Sequence, residues 1–246
     1  MIELNGKRAL VTGGSRGIGA AIARALAESG ADVAITYQRS TEKAEAVIKS
    51  IENAGRRAIA IQADSANPDD ITRAVTEAVS ALGGLDILIN SAAIGHSGTI
   101  ADLELEDYQA VMDINVRAPA LFAKAVIPHL TAGGRIVTVG SGLGERVPFP
   151  GVTLYSMSKS ALASFTRGLS RELGPKGITV NLVQPGPTDT DSNPANGAAA
   201  DVQKGLTSLG RYGEPREIAN AVVFLASPAA SIITGAILNA DGGALA

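Results

Sequence analysis

Tyr155 and Lys159 are four positions apart in LYSMSKSALASF, residues 154–165, at the start of an apolar-periodic segment. A helix would put both on one face, one turn apart. The side chains around them, Ser156, Ser158 and Ser160 among them, are small, and packing alone asks for neither a phenol nor an ammonium. A free tyrosine titrates near pH 10, too high for reversible proton exchange at neutral pH. A cation about 4 Å away, at an effective dielectric near 20, is worth roughly 4 kcal/mol. One pKa unit is about 1.4 kcal/mol, so such a neighbour could lower the phenol by up to about three units. The pair suits a proton donor tuned by a fixed charge. By itself it equally describes two solvated residues on a helix.

A second group suits phosphate. TGGSRGIG, residues 12–19, follows an apolar run and opens a helical pattern. Gly13 permits a tight turn, Gly17 lets backbone approach a pyrophosphate, and Gly19 allows close packing of helix on strand. Ser15, Arg16 and Ile18 belong to the same loop, where a helix start offers free N–H groups and the positive end of its dipole. Glycine clusters also serve ordinary turns; the strand–loop–helix context is what favours a dinucleotide. A carboxylate at the end of the second strand would hold a ribose 2′-OH and repel a 2′-phosphate. That end reads Tyr37-Gln38-Arg39-Ser40, without an acid. Arg39 and Arg16 suit a 2′-phosphate, which favours NADP(H) over NAD; the alternative is two solvated arginines.

Elements that could position these groups alternate along the chain. Apolar runs at 8–12, 32–37, 57–63, 86–90, 134–140, 178–184 and 234–239 read as strands. Ala-rich helical patterns occupy 17–29, 41–54, 68–82, 104–131 with a break, 155–173 and 215–226. This alternation predicts a single α/β domain over residues 1–246: a Rossmann-type, doubly wound parallel sheet of about seven strands with helices on both faces. A Pro-, Gly-, Asn- and Asp-rich stretch, 185–210, does not fit the alternation. An insert at about 187–207, leaving the carboxyl end of a strand, predicts a functional lid or a disordered insert.

Composition narrows the class. Hydrophobic residues make up 46% of the 246 and aromatics only 3%, so the core must be aliphatic, as in a sheet buried on both faces. The absence of cysteine excludes disulfides and thiolate metal sites and fits a reducing cytoplasm. A formal net charge of −3 gives no footprint for nucleic acid. No signal-peptide pattern and no apolar stretch of membrane-spanning length is present, so a soluble, unprocessed protein is expected. His96 lacks partners for a metal, and no metal is expected.

The chain resembles the short-chain dehydrogenase/reductase family along essentially its whole length. The markers come in the family's order: TGGSRGIG, Asp64 (with Ser65) after the third strand, Asn90-Ser91-Ala92-Ala93 after the fourth, Asn115, Ser141 after the fifth, Tyr155-x-x-x-Lys159, and Pro185-Gly186 with Thr188 and Thr190. The resemblance implies carbonyl reduction by hydride transfer, closest to 3-oxoacyl reductases. Tyr155 would be the acid/base, Lys159 its tuner, Ser141 the donor to the carbonyl oxygen, and Asn115 the holder of a water linking Lys159 to solvent. It also implies cofactor contacts at the markers named above, including Tyr155 and Lys159, and a homotetramer with 154–173 and the C-terminal strand at its interfaces.

Two positions depart from the family. Ala93 replaces a glycine, which asks for a negative φ or slight strain, and Thr188 replaces an aliphatic residue. By analogy the substrate pocket is walled by Ile94, His96, Leu143, Glu145, Val147, Leu154, Pro187 and Tyr212, a mainly aliphatic set suited to a small or medium ketone or a 3-oxoacyl group. A rival reading comes from VQPGPTDTDSNPANG, which resembles a bacterial branch of the family associated with binding cyclic dinucleotides. In that reading the protein is a sensor with vestigial activity.

Overall fold

Runs of Val, Ile, Leu and Ala become strands, and the computed structural model, which describes residues 3–246, joins seven of them in one sheet. They are β1 (Arg8–Val11), β2 (Asp32–Tyr37), β3 (Ala58–Gln62), β4 (Ile87–Asn90), β5 (Arg135–Val139), β6 (Thr179–Pro185) and β7 (Ile237–Ala240). Every pairing is parallel, in the order β3-β2-β1-β4-β5-β6-β7. The expected span from residue 1 begins two positions outside the described residues. In β4, β5 and β6 every residue is buried, which is why these strands read as continuous apolar runs rather than alternating ones.

The helices are α1 (Gly17–Glu28), α2 (Thr41–Asn53), α3 (Pro68–Leu82), α4 (Leu105–Met112), α5 (Ala118–Val126), α6 (Thr153–Leu173), α7 (Ala200–Gly205) and α8 (Pro215–Ala226). One core layer joins α1, α2 and α8 to one face of the sheet, around Ile22, Leu26, Val47 and Val222. The other joins α3, α5 and α6 to the opposite face, around Ile71, Phe122, Leu169 and Leu173. The doubly wound α/β fold expected from the alternation is therefore present.

Register brings the chemistry together. Val11 pairs with Ile35 on one side and Ile89 on the other, Ile89 pairs with Val137, and Val139 pairs with Val183. The strands thus end level, and residues 12–19, 90–94, 140–144 and 185–190 leave from one edge. The chain reverses direction across the sheet between β1 and β4, where open α/β sheets form a ligand crevice.

Three local departures from the expected elements have physical causes. The break expected within 104–131 is a π-helical turn, Asp113–Arg117, between α4 and α5. Such turns are rare and frequent at functional sites. The last strand starts at Ile237 rather than 234: the Thr234 hydroxyl accepts the Val180 N–H, and Gly235 turns at a φ of 69° before the ladder begins. The insert is not irregular throughout, since it contains α7.

Candidate active site

The glycine loop is squeezed from three sides. Gly13 and Gly17 adopt φ values of 65° and 54°. A Cβ on Gly13 would lie 2.8 Å from Ala92 Cα, and one on Gly14 2.6 Å from Ile35 of β2. A Cβ on Gly19 would lie 2.3 Å from the Gly13 carbonyl oxygen, so its close approach is to the loop itself rather than to a strand. The Gly13 N–H donates to Thr36 Oγ1 at 3.2 Å and the Gly14 N–H to the Thr36 carbonyl at 2.9 Å. Thr12, which sequence reasoning passed over, is buried, and its Oγ1 accepts the N–H groups of Ser91 and Ala92 at 3.0 Å each.

This loop delivers an uncapped helix start. The N-cap of α1 is Arg16, with no side-chain cap and no acid in the first turn. In α3, by contrast, Asn67 caps Asp69 N and two aspartates follow. The positive end of the α1 dipole is left for an external anion. Arg16 and Arg39 are exposed, Tyr37 and Ser40 half-buried, and the Gln38 carbonyl accepts from Gln62 Nε2 at 3.0 Å. Ser15 is buried in the loop, and Ile18 lies on the wall of the cavity described below.

At the other strand ends, Asp64 Oδ1 accepts the Ala66 N–H at 2.9 Å, and Ser65 is half-buried in that turn. Asn90 is buried; its Nδ2 reaches Thr138 Oγ1 at 3.4 Å, and its Oδ1 has no partner. Ala93 takes a negative φ, so the exchange of glycine for alanine leaves no strain there. A Cβ on Gly186 would lie 2.5 Å from the Asp241 carbonyl oxygen, which fixes how closely the C-terminal segment passes. Thr188 turns its hydroxyl to the Gly186 carbonyl at 3.0 Å, and Thr190 lies over Gly17.

Ser141, Tyr155 and Lys159 converge. Ser141 caps a short 3-10 turn, Gly142–Gly144, accepting the Leu143 N–H at 3.2 Å, and lines the same cavity wall as Tyr155. A Cβ on Gly144 would lie 2.9 Å from the Lys159 backbone, so this turn packs directly on α6. Lys159 is buried, with Nζ 5.7 Å from the centre of the Tyr155 ring and donating to the Val139 carbonyl at 3.2 Å. Burial pushes the Tyr155 phenol above its usual 10, and the neighbouring Ser141 side chain pulls the other way. Burial pushes Lys159 down to about 8. The expected lowering of the phenol by the ammonium does not appear here; desolvation dominates and disfavours both charged forms.

Asn115 sits in the π-helical turn and makes no direct hydrogen bond to Lys159. Its Oδ1 accepts the Ile94 N–H at 3.0 Å, and its Nδ2 donates to the Ile94 carbonyl at 2.9 Å and to Ser158 Oγ at 3.0 Å. Ser158, buried, passes its own proton to the Tyr155 carbonyl at 2.7 Å. Its size therefore serves this junction rather than an open face.

These groups border a cavity of about 730 Å³. Of the expected pocket residues, Ile94, His96, Leu143 and Pro187 line it, with Ser141, Tyr155, Thr188 and Thr190. Glu145, Val147, Leu154 and Tyr212 do not. Leu154 precedes Tyr155 on α6 and so faces the core, at 1% exposure. Val147 points to solvent, Glu145 is exposed, and Tyr212 is buried with its hydroxyl 3.4 Å from Asn193 Oδ1. The reading of the residues missed Arg146, Phe149, Val152, Val202, Gln203 and Leu206, which also line the cavity, from the β5–α6 connection and the α7 segment.

The family model described as enoyl-(acyl carrier protein) reductase matches residues 13–244. The cyclic-di-GMP-binding biofilm dispersal mediator protein of Escherichia coli (strain K12) is 43% identical over 98% of each chain. The 3-oxoacyl-[acyl-carrier-protein] reductase of Synechocystis is 39% identical over 99% of this chain and 98% of that protein. A short chain dehydrogenase from Burkholderia cenocepacia J2315, solved in complex with NADP, is 55% identical with a TM-score of 0.98, covering 99% of this chain and 100% of that one. The chain is an oxidoreductase of the short-chain dehydrogenase/reductase family, whose order of motifs it keeps from the glycine loop to the Pro-Gly that ends β6.

Proposed function

We propose that the protein reduces a ketone or 3-oxoacyl carbonyl to the secondary alcohol at the expense of NADPH. The observation that carries this reading is the Tyr155 phenol and the Ser141 hydroxyl on one cavity wall, with the Lys159 ammonium 5.7 Å from the centre of the Tyr155 ring. When bound, the cofactor supplies the hydride. Tyr155 gives the emerging alkoxide its proton, and the Ser141 hydroxyl donates to the same oxygen as charge develops there. Lys159 keeps a positive charge close to the phenol while it is deprotonated. Asn115 acts one step back, holding the 94 loop against α6.

The residues fit NADP(H). The uncapped start of α1 takes the pyrophosphate, and exposed Arg16 and Arg39 take the 2′-phosphate. The NADP complex of the Burkholderia relative supports the same choice. An apolar groove between α5 and α6, lined by Ala123, Ile127, Phe165 and Leu169, supports self-association, with a tetramer in a cytoplasmic setting as the reading. Consumption of NADPH with a panel of ketones and 3-oxoesters, followed at the reduced-nicotinamide band, tests the activity. Tyr155→Phe is expected to lower it about 10²–10⁴-fold, the range for loss of a general acid, while NADPH binding persists.

One observation favours a second reading. The relative from Escherichia coli is named for binding cyclic-di-GMP. In this reading the cavity receives a cyclic dinucleotide. Cofactor binding without turnover of any ketone, together with saturable heat on titrating cyclic-di-GMP, would establish it over the reductase.

A further inference from the structure

We infer that Arg146 selects substrates in which the reducible ketone is joined by a short apolar spacer to a carboxylate, a substrate class that rests on the reductase reading above. Among the described residues that line the cavity there is no Asp or Glu, and the basic side chains are His96 and Arg146. His96 has a carboxylate beside it, with Nε2 3.8 Å from Asp107. Arg146 has none within 4 Å among the described residues. Its neighbour in sequence, Glu145, is exposed and off the cavity wall. Asp241, near the tail that Arg146 touches, accepts the Gly243 and Leu245 N–H groups at 2.9 Å each. The cavity therefore carries a net positive charge at one place.

That charge is oriented. Arg146 Nη1 donates to the Ala244 carbonyl at 2.8 Å, which tethers one edge of the guanidinium. A guanidinium has five donors in a rigid fork, so the tether leaves enough of them for a two-point contact with a carboxylate. Both residues line the cavity, Arg146 exposed and Tyr155 half-buried. The wall also carries Leu143, Phe149 and Leu245, apolar surface suited to a methylene spacer. A ketone presented to Tyr155 and an anionic end presented to Arg146 would satisfy both of these wall groups at once. A neutral ketone leaves the guanidinium to water.

The test uses methyl ketones ending in a carboxylate, with spacers of two to five methylenes, each beside its methyl ester. In the wild-type protein with NADPH, the acid is expected to exceed its ester in kcat/KM by about tenfold or more at the best spacer, the worth of a charged hydrogen bond. In Arg146→Gln this ratio should collapse to near one through a higher KM for the acid, and Arg146→Lys should restore part of it. Calorimetric titration of hexanoate into cofactor-free protein should show about tenfold weaker binding in Arg146→Gln. Acid and ester reduced alike by the wild type would overturn the assignment. So would a ratio unchanged in Arg146→Gln, which would leave Arg146 only the role of holding Ala244. If neither acid nor ester is reduced, the reductase reading fails, and the hexanoate titration alone decides whether Arg146 recognises carboxylates.

Discussion

Asn115 Nδ2 donates to Ser158 Oγ at 3.0 Å, joining the π-helical turn between α4 and α5 to the helix that carries Tyr155. The same amide holds both backbone groups of Ile94, and Ser158 closes the chain at the Tyr155 carbonyl. Asn115→Ala would leave the Ile94 N–H and C=O without partners. The expected loss is about 2–6 kcal/mol of stability, with reduced kcat, since two polar groups at about 1–3 kcal/mol each are affected. Ser158→Ala removes one link and is expected to be milder, at about 1 kcal/mol. Urea unfolding of both variants beside the wild type measures the difference; equal and negligible losses would show that the junction is not structural.

Much of this site was legible because periodicity and spacing carry it. Continuous apolar runs marked the buried strands, and the strand–glycine–helix order marked the phosphate loop. The spacing of Tyr155 and Lys159 marked one helix face. What stayed hidden lies where the chain has no period. Arg146 and Phe149 sit in the β5–α6 connection, RVPFPG, and nothing in that stretch shows which way it folds over the cavity. Gln203 was masked by the turn-rich composition around α7. The placement of Leu154 on the pocket wall was avoidable, because a residue adjacent to Tyr155 on a helix points about 100° away from it. The role of Asn115 required the structure, since a π-helical turn has no sequence signature beyond a break in pattern.

Lys159 makes stability depend on pH. Burial lowers it from 10.5 in the free side chain to about 8, so between these values the native state binds fewer protons than the unfolded chain. The free energy of unfolding contributed by this group therefore rises with pH across that window. Below pH 8 the whole penalty of the buried ammonium is present, about 3 kcal/mol for a shift of this size. Lys159→Met removes it, less about 1 kcal/mol for the donor lost by the Val139 carbonyl. The variant is expected to be more stable than wild type at pH 7, with the advantage shrinking toward pH 9.5. Urea unfolding at the two pH values checks the sign. For activity, kcat/KM for NADPH, which reports the cofactor-free protein, should fall as pH rises through about 8.

Gly19 and Gly17 separate steric crowding from backbone conformation in the phosphate loop. Gly19→Ala would place a methyl 2.3 Å from the Gly13 carbonyl oxygen, which is backbone and can yield only by moving the loop. Gly17→Ala meets nothing closer than Thr190 Cγ2 at 3.5 Å but must hold a φ of 54°, a strain of about 1–2 kcal/mol. Gly19→Ala is expected to weaken NADPH binding at least about tenfold, equivalent to about 1.4 kcal/mol. Gly17→Ala is expected to lower the unfolding midpoint through this strain, and to weaken NADPH binding less than Gly19→Ala does. Fluorescence titration with NADPH, paired with thermal unfolding, distinguishes them.

The insert owes its shape to a side-chain amide pair. Asn193 Nδ2 donates to Gln203 Oε1 at 3.0 Å, and Gln203 Nε2 returns a bond to Asn193 Oδ1 at 3.1 Å. Its base is clamped separately, where Gly213 N–H donates to the Pro187 carbonyl at 2.8 Å and Asp189 N–H to the Gly213 carbonyl at 2.9 Å. Lys43 of α2 pairs with Asp191 across the glycine loop, but both side chains are more than half exposed, so this pair adds little. Gln203→Ala would free α7 from the 190–193 turn and leave the clamped base intact. The expected result is faster proteolytic cutting within 190–207 and a higher KM for ketones, with global stability lowered by no more than about 1–2 kcal/mol, the worth of two half-buried hydrogen bonds. Limited proteolysis followed by mass spectrometry locates the cut. Cleavage outside the insert, or none beyond the wild-type rate, would show that the amide pair does not hold the insert.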